Sequence, residues 1–320
     1  MSEIAPDRRV PAIEWPTLGL LIATYALWGA ATTVIYPWSP VLAVVLTGIA
    51  IAQFSSLQHE VLHGHPFRQR WLNEALVFPA LSLTVPYGRF RDTHLAHHYD
   101  PHLTDPYDDP ESNYFDPVVW AKLPGAVKMI LRVNNTLLGR VTIGPILGNV
   151  LWLNAELRLL IAGNKAARRD WMLHLGGLGL VALWLADAPM TVVSYLCAAW
   201  IGHSLLKIRT FLEHRAHELC RARTVIIEDR GPLAFLFLNN NLHVVHHAHP
   251  NVPWYRLPAL YRKNKAHYQA KNEGYVYPSY ARIFAEFLLH AKDPVPHPLM
   301  PLADRADVSE QSFETDKIAV

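Results

Sequence analysis

Three groups of histidines carry the chemistry open to this chain: His59-Glu60-Val61-Leu62-His63, His94-Leu95-Ala96-His97-His98 and His243-Val244-Val245-His246-His247. Within each group imidazoles recur three or four residues apart, the spacing that sets side chains on one face of a helix. Imidazole is a ligand for iron, copper, zinc and nickel, and eight of them exceed what a single ion can use. The pattern predicts a two-metal site. Clustering the histidines of two HxxHH groups without metal would bury imidazoles at considerable cost.

The first group also spells HExxH, in which two histidines bind zinc and Glu60 is the general base. Read alone, at the end of an apolar span, it describes an intramembrane zinc protease. That reading leaves the other two groups without a role, and the chain has no Asn-Pro-x-Asp-Gly segment to supply a third ligand.

The histidines need elements that bring them together. Residues 17–57 and 171–206 contain no Lys or Arg, and each stretch is broken near its middle, at Tyr36-Pro37-Trp38-Ser39-Pro40 and at Asp187-Ala188-Pro189. Each half is long enough to cross hydrocarbon. The expected architecture is an all-α integral membrane protein with two transmembrane hairpins, spans at about 17–36, 39–58, 171–187 and 189–207. A further apolar stretch, Trp71 to Tyr87, is interrupted by Pro79 and Pro86, as expected of an interfacial or re-entrant insertion. Strand signals are weak, with Thr224-Val225-Ile226-Ile227 the most tempting. Residues 1–303 are read as one membrane domain and 304–320 as a loose polar tail.

Charge sets the orientation. All 29 Lys and Arg lie in the N-terminal arm, in 58–170 and in 207–320, which the positive-inside rule places in the cytoplasm with both termini. Met1 to Trp15 is polar and contains proline, unlike a cleaved signal peptide. An even number of crossings separates any two histidine groups, so all three reach one face, where a cytoplasmic helical cap can hold them. The net charge of +2 argues nothing by itself, and no nucleic-acid partner is expected. Cys197 and Cys220 form neither a metal-binding spacing nor an evident disulfide pair.

Other histidines are sorted by position. His214, in the run Phe211-Leu212-Glu213-His214 after the last span, is a candidate further ligand, and Glu213 can orient a ligand by hydrogen bonding. Glu60, Asp92 and Asn240 are expected to play the same supporting part. His217 reads equally as a solvated helix end, and His203, within a span, as a site residue or a simple hydrogen-bonding group. His65, His102 and His249 flank the groups, while His174 and His267 read as ordinary satisfied side chains. Arg89, Arg91, Lys207 and Arg209 obey the positive-inside rule and could also hold a carboxylate, a phosphate or an acyl-carrier head group. Trp15, Phe54, Trp152, Trp171 and Trp200 sit near span ends, as interface anchors do.

Taken together, HxxxH, HxxHH and HxxHH between paired spans resemble the membrane fatty acid desaturase superfamily, whose relatives include alkane hydroxylases and carotenoid ketolases. Arg91-Asp92-Thr93-His94-Leu95-Ala96-His97-His98 and Asn239-Asn240-Asn241-Leu242-His243-Val244-Val245-His246-His247 are similar to its bacterial fatty-acid-desaturase-like branch, over roughly residues 20 to 290. The resemblance implies two irons held by His59, His63, His94, His97, His98, His243, His246 and His247, with His214 as ninth ligand, and dioxygen as co-substrate. It implies an acyl or lipid-like substrate and a bacterial inner-membrane location. The chain departs from the stearoyl-type pattern at Thr210, where that pattern has Asn, and its Phe-Leu-Glu-His wording is closer to the alkane hydroxylase version. Desaturation and hydroxylation or ketolation therefore both stay open. With no His-Pro-Gly-Gly segment and no cysteine cluster, electrons must come from a separate ferredoxin, rubredoxin or cytochrome.

Overall fold

The computed structural model describes residues 13–100 and 102–300. The N-terminal arm up to residue 12 and the expected tail 304–320 lie outside the described residues. The architecture is helical. β structure among the described residues is confined to a two-residue parallel pair, β1 (Ile226–Ile227) with β2 (Val276–Tyr277), and isolated bridges.

Four helices occupy the segments read as spans: α1 (Trp15–Ala30, continued as a π turn to Ile35), α2 (Pro40–Leu62), α9 (Lys165–Asp187) and α10 (Val192–Arg209). Two of them, Trp15–Ile35 and Pro40–Leu62, are long and apolar enough to cross a membrane. A third candidate is α9 together with α8 (Gly144–Ile161), the two meeting at a 119° bend. Proline opens α1 and α2, at positions where its missing N–H costs nothing. Thr24 and Thr32 turn their hydroxyls back to the carbonyls of Leu20 and Trp28, so these two are satisfied within their own helix.

Helix α2 is the hub. From Ala50 to Leu62 nearly every residue is buried, which no amphipathic surface helix would tolerate. It packs on α10 through small residues. A Cβ at Gly48 would lie 2.9 Å from the carbonyl oxygen of Ala198, and one at Gly202 would lie 3.0 Å from that of Gly48. Glycine is what allows the two backbones to approach so closely.

The proline-interrupted stretch is neither a span nor a loose loop. After α3 (Arg70–Leu76), residues 77–86 run irregularly between the long helices, with Val77, Ala80 and Leu81 buried. Their carbonyls are capped from the surrounding helices. Tyr25 Oη donates to Leu76 O (2.7 Å), Tyr195 Oη to Leu81 O (2.9 Å), His203 Nε2 to Ser82 O (2.9 Å) and His174 Nε2 to Leu83 O (3.1 Å). Irregular backbone is tolerated among apolar helices only when its polar groups are satisfied in this way. His174 and His203 thus serve the insertion.

From the insertion the chain enters α4 (Tyr87–Tyr99), which carries the second histidine group. Arg89 on α4 forks onto Glu156 of α8 at 3.0 Å to each oxygen, and Trp171 of α9 donates to the same carboxylate, so three helices are pinned at one buried ion pair. Short helices α5 (Pro117–Lys122), α6 (Gly125–Asn134) and α7 (Leu137–Thr142) lead into α8. The outer face of α8 exposes Ile146, Val150, Leu157 and Ile161, an apolar surface that the charge-based division of the sequence did not single out. Beyond α10 come α11 (Pro232–Leu236), α12 (His243–Ala248), α13 (Leu257–Lys263), α14 (Lys265–Lys271) and α15 (Tyr280–Phe287).

Because Gly202 admits no side chain against α2, Gly202→Leu should destabilise the folded protein by about 1–3 kcal/mol through overpacking. Gly19, with nothing within 4 Å of its Cβ position, should accept Ala with little change. Thermal unfolding of both variants in detergent checks the contrast.

Candidate metal centre

The sequence places the histidines on four separate elements, and the fold converges them. His59 and His63 sit on the last turn of α2 and beyond it, His94, His97 and His98 on α4, His214 on the segment after α10, and His243, His246 and His247 on α12. Two groups result. His59, His63, His94, His98 and His246 form one, His97, His214, His243 and His247 the other, each with its ligand nitrogens within 4.8 Å of one another.

The division follows from helix geometry. Positions i and i+4 lie on one side of a helix, while i+3 lies about 100° from i+4. On α4 the i and i+4 residues, His94 and His98, join the first group and His97 the second. On α12 the i and i+4 residues, His243 and His247, join the second and His246 the first. Each HxxHH helix therefore lies across the seam between the groups. Helix α2 adds its i, i+4 pair to the first, and His214 completes the second.

Adjacent Nε2 atoms are close. In the first group His94 lies 3.3 Å from His63 and 3.0 Å from His98, and His98 lies 3.0 Å from His246. In the second, His214 lies 2.9 Å from His97 and 3.0 Å from His243, with 3.1 Å between His243 and His247. A metal–imidazole bond of about 2.1 Å puts neighbouring ligand nitrogens about 3.0 Å apart at right angles and about 3.4 Å apart in a tetrahedron. Five of the six observed edges fall in that interval, and the sixth, His97 to His214 at 2.9 Å, lies just below it. The Nε2 of His59 is buried without a hydrogen-bond partner among the described residues, with its ring 4.5 Å from that of His94 and 4.7 Å from that of His246. A buried nitrogen with no protein partner, facing other imidazoles, is placed to act as a metal ligand. Both donor sets fit a metal.

Protonation agrees. Burial first, then the surrounding histidines, pushes His98 down to about 3 and His214, His243, His246 and His247 well below the usual imidazole range. These five are held in the neutral form that a metal requires. At His97 burial acts the same way, but Glu111 and Asp109 outweigh it and raise the ring to about 9.

Three of the other ring nitrogens are anchored, while His214 Nδ1 is buried with no hydrogen-bond partner among the described residues. His97 Nδ1 pairs with Asp109 Oδ1 at 2.7 Å, and His94 Nδ1 with Glu111 Oε1 at 2.9 Å. His243 Nδ1 meets Asn240 Oδ1 at 3.1 Å, Asn240 donates onward to Glu213 Oε1 at 2.7 Å, and Glu213 pairs with Arg209 at 3.2 Å. Such contacts fix the tautomer and aim of a ligating ring. Of the four supporting residues expected from sequence, Asn240 and Glu213 lie in this chain of contacts. The other two point elsewhere: Glu60 accepts from the backbone N–H of Trp254, and Asp92 from Arg91. Asp109 and Glu111 escaped the sequence reading, although the acidic run Asp105 to Glu111 directly after the second group was a signal. Of the flanking histidines, His65 bonds Glu14 at 2.8 Å, and His217 pairs with Glu273.

Backbone contacts hold the less regular ligands. His214 bridges Thr224 antiparallel, with Val225 N–H donating to Glu213 O, and Val244 N–H of α12 donates to Val225 O. The apolar run Thr224 to Ile227 is thus a rail between His214 and α12. Val244 and Val245, fully buried, seat the opposite face of α12 in a core with Leu242, Leu257 and Tyr268.

The histidine groups and the spans find a counterpart in known sequences. The chain matches the fatty acid desaturase family model over residues 36–280 and belongs to that family. No curated protein matches it. Family and candidate spans together support an integral membrane protein, and the family suggests an oxidoreductase.

Replacing Asp109 by Asn should leave the fold intact but loosen His97, weakening metal retention by about 10- to 100-fold. Metal per chain after dialysis against graded chelator, beside the wild type, measures it.

Proposed function

We propose that this protein is an oxygen-dependent di-iron desaturase of a fatty acyl or similar lipid-like chain. The observation that carries the reading is the division of nine imidazoles into groups of five and four around two centres. The ligands proposed are His59, His63, His94, His98 and His246 for one iron, and His97, His214, His243 and His247 for the other. Two irons held there supply, with dioxygen, an oxidant able to take hydrogen from an unactivated C–H bond, which no side chain alone can do.

The residues of the chain orient and enclose. Asp109, Glu111 and Asn240 fix three imidazoles, and Arg209 compensates the buried Glu213. Four crossings with the histidine groups and both termini in the cytoplasm, in a bacterial inner membrane, are part of the proposal. Charge distribution and crossing parity support it. A separate ferredoxin, rubredoxin or cytochrome delivers electrons to that face.

Two other enzymatic outcomes draw on the same residues. Hydroxylation or ketolation of an apolar substrate uses the same ligands and is favoured by one observation, the Phe211-Leu212-Glu213-His214 wording. The zinc protease reading loses support because Glu60, its required base, bonds Trp254 and sits outside the imidazole groups.

The purified wild type should contain about two irons per chain and no stoichiometric zinc. Lipids of cells expressing it should show a loss of about two mass units, whereas a gain of about sixteen would assign hydroxylation. His247→Ala should insert in the membrane yet give no product; full activity in that variant would count against the reading.

A further inference from the structure

Four cations lie near the histidine groups in sequence, and the fold treats them unequally. Arg89 is neutralised by Glu156, Arg91 by Glu74 and Asp92, and Arg209 by Glu213. Lys207 has no hydrogen bond or ion pair among the described residues. A lysine at the end of a membrane helix ordinarily reaches for water. Here its stem and ammonium lie along α8, 3.7 Å and 3.0 Å from the Cβ positions of Gly144 and Gly148, which leave room for it.

Lys207 lines a cavity of about 320 Å³ together with a second cation, Arg140 of α7. Arg140 is 5% exposed, and its partners are neutral: Asn134 O at 3.1 Å from Nε and Asn113 Oδ1 at 2.6 Å from Nη1. Its Nη2 has no hydrogen-bond partner among the described residues. The carboxylates nearby are engaged otherwise. Asp116 accepts from Tyr107 Oη and from the N–H of Val118, and Asp293 accepts from Tyr114 and Asn135 and pairs with Lys292. No carboxylate pairs directly with either cation among the described residues, and an oxyanion between them would offset the cost of holding two positive charges close together. Leu131, Leu147, Leu151 and Val295 make an apolar part of the wall, beside the polar Ser112, Asn113, Asn134, Asn135 and Asp116. The opposite face of α8 carries the exposed apolar residues already described, so the cavity lies one helix away from that surface.

We infer that this cavity binds the anionic head of a membrane amphiphile, a carboxylate or phosphate on an aliphatic body, with Arg140 and Lys207 as its cationic clamp. The site is separate from the imidazole groups and stands whether or not they hold iron. It is joined to them through one loop: residues 105–116 supply Asn113 and Asp116 to the cavity and Asp109 and Glu111 to His97 and His94.

Equilibrium binding to the full chain in a non-ionic detergent tests this, with palmitate, phosphatidylglycerol, hexadecanol and inorganic phosphate as separate probes. Palmitate, phosphatidylglycerol or both should bind once per chain, and which of them binds identifies the head group. Lys207→Met should weaken that binding by about tenfold or more. Gly148→Leu, which keeps both cations and fills the cavity, should abolish it. Metal content and thermal unfolding establish that each variant is folded, and they report on the histidine centre independently. Hexadecanol binding the wild type as tightly as palmitate and phosphatidylglycerol would overturn the clamp, and so would wild-type affinity in both variants. Inorganic phosphate binding as tightly as either amphiphile would overturn the aliphatic part of the site.

Discussion

Nine imidazole rings packed against one another at the end of a membrane helix are the constraint on which this structure turns. A buried polar group left without a partner costs about 1–3 kcal/mol, and here most of the inward nitrogens face only other imidazoles. The arrangement makes physical sense when a common electrophile sits among them. The chain meets that demand by an unusual degree of burial in α2, which must present His59 and His63 while packing on every side. Outward, Asp109, Glu111 and Asn240 take the second nitrogens of His97, His94 and His243, and from Asn240 the contacts run on to Glu213 and Arg209.

The same economy governs the insertion between α3 and α4. Non-helical backbone among apolar helices survives because two histidines and two tyrosines reach its carbonyls. In doing so it fixes where α4 begins, and hence how far His94 projects toward α2. His174, buried, and His203, half-buried, thus work within long apolar helices as donors to the backbone of the insertion.

Much of this was legible in the sequence. Charge-free stretches and their proline breaks located four of the five long helices to within a few residues, apart from the start of α9, and the repeated HxxHH spacing located the centre. What was hidden is what depends on contact between remote segments. The HExxH spelling offers Glu60 a chemical role, whereas in the fold its carboxylate accepts from the backbone N–H of Trp254. Asp109 and Glu111 face the imidazoles only because the loop after α4 folds back, which local spacing does not encode. The apolar face of α8 was masked by Glu156 and Arg158 within it, and the first of these disappears into an ion pair with Arg89. Lys207 looked like one of several cations until the partners of the other three were visible.

Placing each HxxHH helix across the seam between the two groups has a mechanical consequence. Because α4 and α12 each feed both centres, neither centre can be adjusted alone. A slight rotation of α4 that draws His97 inward swings His94 and His98 by the same angle. The two sites are geared, like wheels on a common shaft, and any movement that reaches one of these short helices, from the 105–116 loop or from the rail beside His214, is delivered to both at once.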